Sequence, residues 1–146
     1  MAVRFQLVVD SADPDRLARF WAAALGYEFA PPPAGFTTWN GFYRELGVPE
    51  EELVDGADRI SDPEGYGPSI WFHVVSEAKV VKNRLHLDIH ASGEWTDPIG
   101  TRRRRVDDEV TRLAGLGATI TGPFEEGLDH YAVGMKDPEG NEFDIN

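Results

Sequence analysis

Residues 4–10 read RFQLVVD and residues 84–90 read RLHLDIH. The two stretches are offset by 80 positions (84 − 4 = 80), which pairs Arg4 with Arg84, Gln6 with His86, Val8 with Asp88 and Asp10 with His90. In both, every second residue is apolar: Phe5, Leu7 and Val9 in the first, Leu85, Leu87 and Ile89 in the second. A strand turns alternate side chains to opposite faces, so each stretch reads as a strand with one face in a core. Two matching strands so far apart point to an internal duplication.

Working outward, each strand is followed by a helical pattern. Asp13 is a good N-cap, Pro14 suits the first helical position, and Gly26 supplies the left-handed stop. Between them Leu17, Phe20, Trp21 and Leu25 form one apolar stripe. In the second half Val106, Val110, Leu113 and Leu116 do the same before Gly117. Both helices run through Leu-Gly into a short strand, LGYEF (25–29) and LGATI (116–120). Each half then closes with an Asp-Pro-Glu-Gly turn, at Asp62 and Asp137, and a last strand. Aligned on their aromatic residues, these last strands pair Phe72-His73-Val74 with Phe143-Asp144-Ile145.

The reading is therefore one α+β domain over residues 1–146, made of two modules at about 1–78 and 82–146 and joined near Lys79–Asn83. The middle of the first module is less regular. TTWNGFYREL (37–46) is read as carrying one strand, and a short acidic helix is expected near Pro49–Val54. Trp39, Phe42 and Tyr43 either pack inward or line a pocket.

Composition narrows the function. The chain has 146 residues and a net charge of −12, from 26 acids and 14 bases, a balance that repels phosphate backbones and argues against nucleic acid as a partner. The run Arg102–Arg105 is the local exception and reads as a solvated opening turn of a helix. No stretch approaches the ~20 apolar residues of a membrane helix, and the N-terminal stretch lacks a secretion signal's pattern. Zero cysteines exclude a disulfide framework, a thiolate metal site and a cysteine nucleophile, and they fit a cytoplasmic location. There is no G-x-S-x-G elbow, phosphate loop or H-E-x-x-H helix.

The duplicated module, KNRLHLDIHA (82–91), VVDSADPDRLARFWAAALGYEF (8–29) and the ending DPEGNEFDIN (137–146) together resemble the vicinal-oxygen-chelate superfamily. That group includes glyoxalases, extradiol dioxygenases and bleomycin- or fosfomycin-resistance proteins. The resemblance covers nearly the whole chain. It implies tandem βαβββ modules forming a curved mixed sheet around a central cavity, and a homodimer.

In metal-using relatives, the first and last strands of each module each offer one side chain to one divalent ion. Carried onto this chain, those positions are Gln6, His73, His86 and Asp144. The set departs from the usual pattern: Gln6 replaces His or Glu, while His73 and Asp144 stand where Glu is usual. Two imidazoles, a carboxylate and an amide oxygen suit zinc, nickel, iron or manganese. On this reading His86 and Asp144 are the catalytic pair. Asp88 and His90 share the strand face of His86 and would orient it and shuttle protons, respectively. The plainer alternative makes His86 a strand histidine bonded to Asp88 or Asp144, and His73 a half-buried residue flanked by Trp71. His130 is read as a turn residue, and Glu142 as an exposed acid.

Two functions follow. One is a metal-dependent lyase, isomerase or dioxygenase acting on a small oxygenated molecule. The other is a metal-free protein that sequesters a planar or cationic compound in a cavity lined by Trp39, Phe42, Trp71 and Tyr131, with no cofactor at all. A regulatory module with a vestigial cavity is a third reading.

Overall fold

The computed structural model describes residues 1–127 and 129–146. The chain divides into two compact units, Met1–Ala78 and Lys79–Asn146. The first holds β1 (Gln6–Ser11), α1 (Pro14–Leu25), β2 (Glu28–Phe29), α2 (Trp39–Glu45), a 3₁₀ turn at Glu50–Glu52, β3 (Arg59–Ser61) and β4 (Ser69–Val74). The second holds β5 (Asp88–Ile89), α3 (Ile99–Gly115), β6 (Thr119–Glu126), β7 (His130–Lys136) and β8 (Glu142–Ile145). The α+β class stands. Each unit has its own four-stranded sheet, ordered β1-β4-β3-β2 and β5-β8-β7-β6. In both, the first strand runs parallel to the last and the other pairings are antiparallel.

The helix ends form as their residues dictate. The Asp13 side chain accepts from the Arg16 backbone N–H at 3.2 Å, Pro14 opens α1, and Gly26 closes it at φ 70°. Leu17, Phe20 and Trp21 are buried where α1 lies on β3 and β4, whose Ile60, Ile70 and Phe72 are also buried. In the second unit Val106, Val110 and Leu113 of α3 are buried together with Val133, Met135, Phe143 and Ile145 of β7 and β8. The two Asp-Pro-Glu-Gly turns are held by the same device. Asp62 accepts backbone N–H bonds from Glu64, Tyr66 and Gly67, and Asp137 from Glu139 and Asn141. A carboxylate that collects several amide donors makes a rigid turn.

The short acidic helix expected near Pro49–Val54 forms as a 3₁₀ helix at Glu50–Glu52. Three expectations need correction. Residues 37–46 form helix α2, not a strand: Thr38 Oγ1 accepts from the Gly41 N–H at 3.0 Å, and Trp39, Phe42 and Tyr43 follow helical spacing. The alternating strands were read too far: Phe5 and Leu85 are 67% and 85% exposed, and β5 pairs over Asp88–Ile89 alone. Arg102 is buried, not solvated. It lies over the Trp95 ring at 4.6 Å and donates to the Asp97 carbonyl, so a cation–π contact and a hydrogen bond offset its desolvation.

The register also refines the repeat. Val9 lies opposite Phe72, and Ile89 lies opposite Ile145. With Val9 matched to Ile89, Trp71 takes the level of Asp144 and His73 that of Asn146. The alignment by aromatic residues had placed His73 with Asp144. The longer turn between Asp62 and Ser69 absorbs the two-residue difference.

Candidate functional site

One face of the second sheet brings three sequence-predicted residues together. His86 and Asp88 share a face because they are two apart, and Asp144 lies directly opposite Asp88 across the parallel β5–β8 pair. His86 Nε2 is 3.2 Å from Asp144 Oδ2 and 3.4 Å from Asp88 Oδ1. Asp144 is the least exposed, at 26% of its side chain. Its strand neighbour on β7 is Gly134, where a Cβ atom would stand 2.5 Å from Thr121 Oγ1 and 3.5 Å from Asp144 Oδ1. The absence of a side chain there leaves the Asp144 carboxylate its room.

The donor set fits a divalent cation. One donor atom from each of His86, Asp88 and Asp144 lies within 4.8 Å of the others, so small rotamer changes would give each an ion contact of about 2.0–2.2 Å. Two carboxylates and one imidazole also balance the charge and suit borderline-hard metals. Glu142 is engaged elsewhere. It accepts from the Asn83 N–H and from Lys79 Nζ, both at 3.0 Å, and these donors hold its carboxyl down at about 2. It is therefore not the exposed acid expected. His90, next along the same strand face, places Nδ1 2.6 Å from Asn146 Oδ1. It also borders a groove of about 470 Å³ together with Ile89, Arg105 and Arg112.

The first unit places its two predicted ligands apart. Gln6 pairs with Ser69 at one end of the β1–β4 ladder, whereas His73 lies opposite Asp10 near the other. His73 Nδ1 sits 3.2 Å from Asp10 Oδ1, and its ring centroid is 4.9 Å from that of Trp71. By register this pair matches His90 and Asn146, not His86 and Asp144.

The predicted aromatic lining is drawn from both units. Trp39, Phe42 and Trp71 belong to the first unit. Tyr131 belongs to the second, where its hydroxyl donates to Asp107 at 2.6 Å and Arg103 lies over its ring at 5.1 Å. The bond to the Asp107 carboxylate, reinforced by burial, pushes the Tyr131 hydroxyl up to about 12. His130 opens β7 rather than sitting in a turn. Between Trp39 and Trp71 lies Arg59, whose guanidinium carbon is 4.3 Å and 5.1 Å from their ring centroids. The indole faces expected to attract a cationic ligand thus already hold a cation of the protein. Nothing in the stretch DGADRIS marks Arg59 as special; only the fold sets it between two tryptophans.

The sequence profile of the glyoxalase-like domain family matches residues 6–146. The chain belongs to this family. Solved structures share its fold across nearly the full length. A glyoxalase/bleomycin resistance protein/dioxygenase family enzyme from Burkholderia phytofirmans is 18% identical, covering 97% of this chain and 94% of its own, with a TM-score of 0.57. The fosfomycin resistance protein FosX from Listeria monocytogenes, in a complex with Mn(II) and 1S,2S-dihydroxypropylphosphonic acid, is 9% identical with a TM-score of 0.63, covering 100% and 92%. A lactoylglutathione lyase from Agrobacterium tumefaciens is 14% identical with a TM-score of 0.53, covering 99% and 91%. At these identities the likeness establishes the glyoxalase-like fold and leaves the reaction open. No curated protein sequence matches this chain. Among the described residues, no helix is long and apolar enough to cross a membrane.

Proposed function

We propose that this glyoxalase-like domain is a metal-dependent enzyme acting on a small oxygenated molecule, with a divalent ion held by His86, Asp88 and Asp144. The convergence of these three donor side chains on adjacent strands carries the reading. Such an ion would supply Lewis acidity toward neighbouring substrate oxygens. The other roles belong to the chain's own side chains. In the absence of an ion Asp88 and Asp144 hold the imidazole of His86 through Nε2, and the lack of a side chain at Gly134 leaves room beside the Asp144 carboxylate. His90, steadied through Nδ1 by Asn146, is placed to take or give a proton at Nε2. Two carboxylates with one imidazole are richer in oxygen than a typical zinc set, which favours Mn(II) or Fe(II). FosX, the neighbour whose structure contains Mn(II), supports the same choice.

The test is calorimetric titration of metal-free protein with Mn(II). One ion per chain is expected. His86→Ala and the near-isosteric Asp144→Asn should each weaken binding by about 100-fold, or about 2.7 kcal/mol. Failure to take up stoichiometric Mn(II), Fe(II), Zn(II) or Ni(II) would end this reading.

A further inference from the structure

Among the described residues, five arginines form ion pairs with carboxylates. Arg19 bonds Asp15, Arg44 bonds Glu50, Arg103 bonds Glu125, Arg105 bonds Asp97 and Arg112 bonds Glu109. Arg59 differs. Among the described residues its side chain makes one hydrogen bond, from a terminal nitrogen to the Tyr43 hydroxyl at 2.7 Å. Its Nε is shut off from solvent and has no acceptor among the described residues. The adjacent carboxylate, Asp58, is itself buried and accepts instead from Trp71 Nε1 at 3.2 Å. The guanidinium carbon lies 4.3 Å from the Trp39 ring centroid and 5.1 Å from that of Trp71, so both indoles contact the cation.

A guanidinium stays charged at any physiological pH and carries five donors. Leaving a buried donor without a partner costs about 1–3 kcal/mol, so a fold that holds one in a fixed plane is prepared for an acceptor that arrives later. The neighbouring Asp58 is close enough for its charge to act on Arg59, but its carboxylate bonds Trp71 and leaves the Arg59 Nε without an acceptor among the described residues. We propose that Arg59 is the anchoring residue of an anion subsite in the first unit, and that the acceptor is the carboxylate of a small ligand. The shape of the donor fork selects the class. Two parallel N–H groups in one plane match the two oxygens of a carboxylate, and the flanking indoles favour a planar ligand body. Helix α2 has no buried residue; it is held by the Trp39 indole bond to the Ala30 carbonyl, the Asn40 amide bond to the Val54 carbonyl and the Arg59 bond to the Tyr43 hydroxyl. The subsite uses none of the residues of the metal cluster, so it stands or falls separately from the proposed function.

The experiment is a titration of the full chain with sodium benzoate and sodium acetate, with benzamide and benzylamine as matched controls at constant ionic strength. Metal is first removed over a chelating resin, and the series is repeated on His86→Ala so that a carboxylate bound to an ion cannot be mistaken for one bound to Arg59. The readouts are the Arg59 Nε–H cross-peak in a nitrogen-15 correlation spectrum and tryptophan fluorescence. Benzoate should move the Nε–H peak downfield and quench fluorescence saturably in both backgrounds, with benzamide at least tenfold weaker. Arg59→Lys keeps the charge but loses the fork, and should weaken benzoate about tenfold without loss of helical circular dichroism. An Nε–H peak that neither benzoate nor acetate moves at about 10 mM, an affinity floor near 3 kcal/mol, overturns the proposal. So does an equal response to benzamide. The wild-type titration decides the matter even if the variant does not fold.

Discussion

The pairs β1–β4 and β5–β8 have the same topology and opposite chemistry. On the helix side the two are interchangeable: Phe72 in one unit and Phe143 and Ile145 in the other are all but fully buried. On the other side they share almost nothing. At one level Val8 and Trp71 in the first unit stand where the second has Asp88 and Asp144. At the next, Asp10 touches His73 where His90 touches Asn146. Burial of apolar surface is indifferent to which hydrophobic residue supplies it, so the packed face tolerates only apolar substitutions and keeps its character. The open face bears no such constraint, and one copy has collected a histidine and two carboxylates while the other has collected tryptophans and an arginine.

The comparison can be broken first at the shared face. Phe72→Ala and Phe143→Ala should each cost about 3–5 kcal/mol in urea denaturation, because each removes a large buried ring. A large difference between them would deny that the two cores are equivalent. The next effect divides the open faces. His86→Ala should remove Mn(II) binding while Asp10→Ala and His73→Ala change it less than about twofold, or well under 1 kcal/mol. Equal losses in both units would restore the ligand set expected from the family pattern. A smaller effect is expected at Gly134. Gly134→Ala forces a Cβ atom against Thr121 Oγ1 and toward Asp144, and should cost about 1–3 kcal/mol of stability together with part of the metal affinity.

The smallest effect separates Tyr131 from the aromatic residues of the first unit. Its hydroxyl should ionise near pH 12 by ultraviolet absorbance, and Asp107→Asn should lower that value toward the ordinary 10.0. Folding raises this pKa, so the associated stability is intact below pH 10.0 and disappears as pH climbs from there toward about 12. Tyr131 is half-buried and its bond to Asp107 lies toward solvent, so the contribution is modest.

Much of the fold was legible because it rests on local rules. The Asp13-Pro14 start, the Gly26 stop and the two Asp-Pro-Glu-Gly turns each report their conformation through a residue type with few alternatives. The repeat was legible for the same reason. The level of His73 was not, because strand alternation repeats every two residues and cannot detect a slip of two. Helix α2 was misread because tryptophan, phenylalanine and tyrosine favour strands on average, while its cap at Thr38 is a single weak signal. The cluster of His86, Asp88 and Asp144 could be anticipated from a strand pattern and a resemblance. Arg59 could not, since its significance lies in what the fold places on either side of it.

The parallel pairing of each unit's first strand with its last also bears on how the protein is made. His90 and Asn146 touch across 56 positions, and Asp10 and His73 across 63. Neither sheet can close until its last strand has left the ribosome, and such distant pairings are slow to find. The first unit can fold once β4 emerges, while the second is still being synthesised. His86 and Asp88 must then wait, solvated and without their third partner, until β8 delivers Asp144. The cluster of His86, Asp88 and Asp144 is therefore assembled only after α3, β6 and β7 have been made.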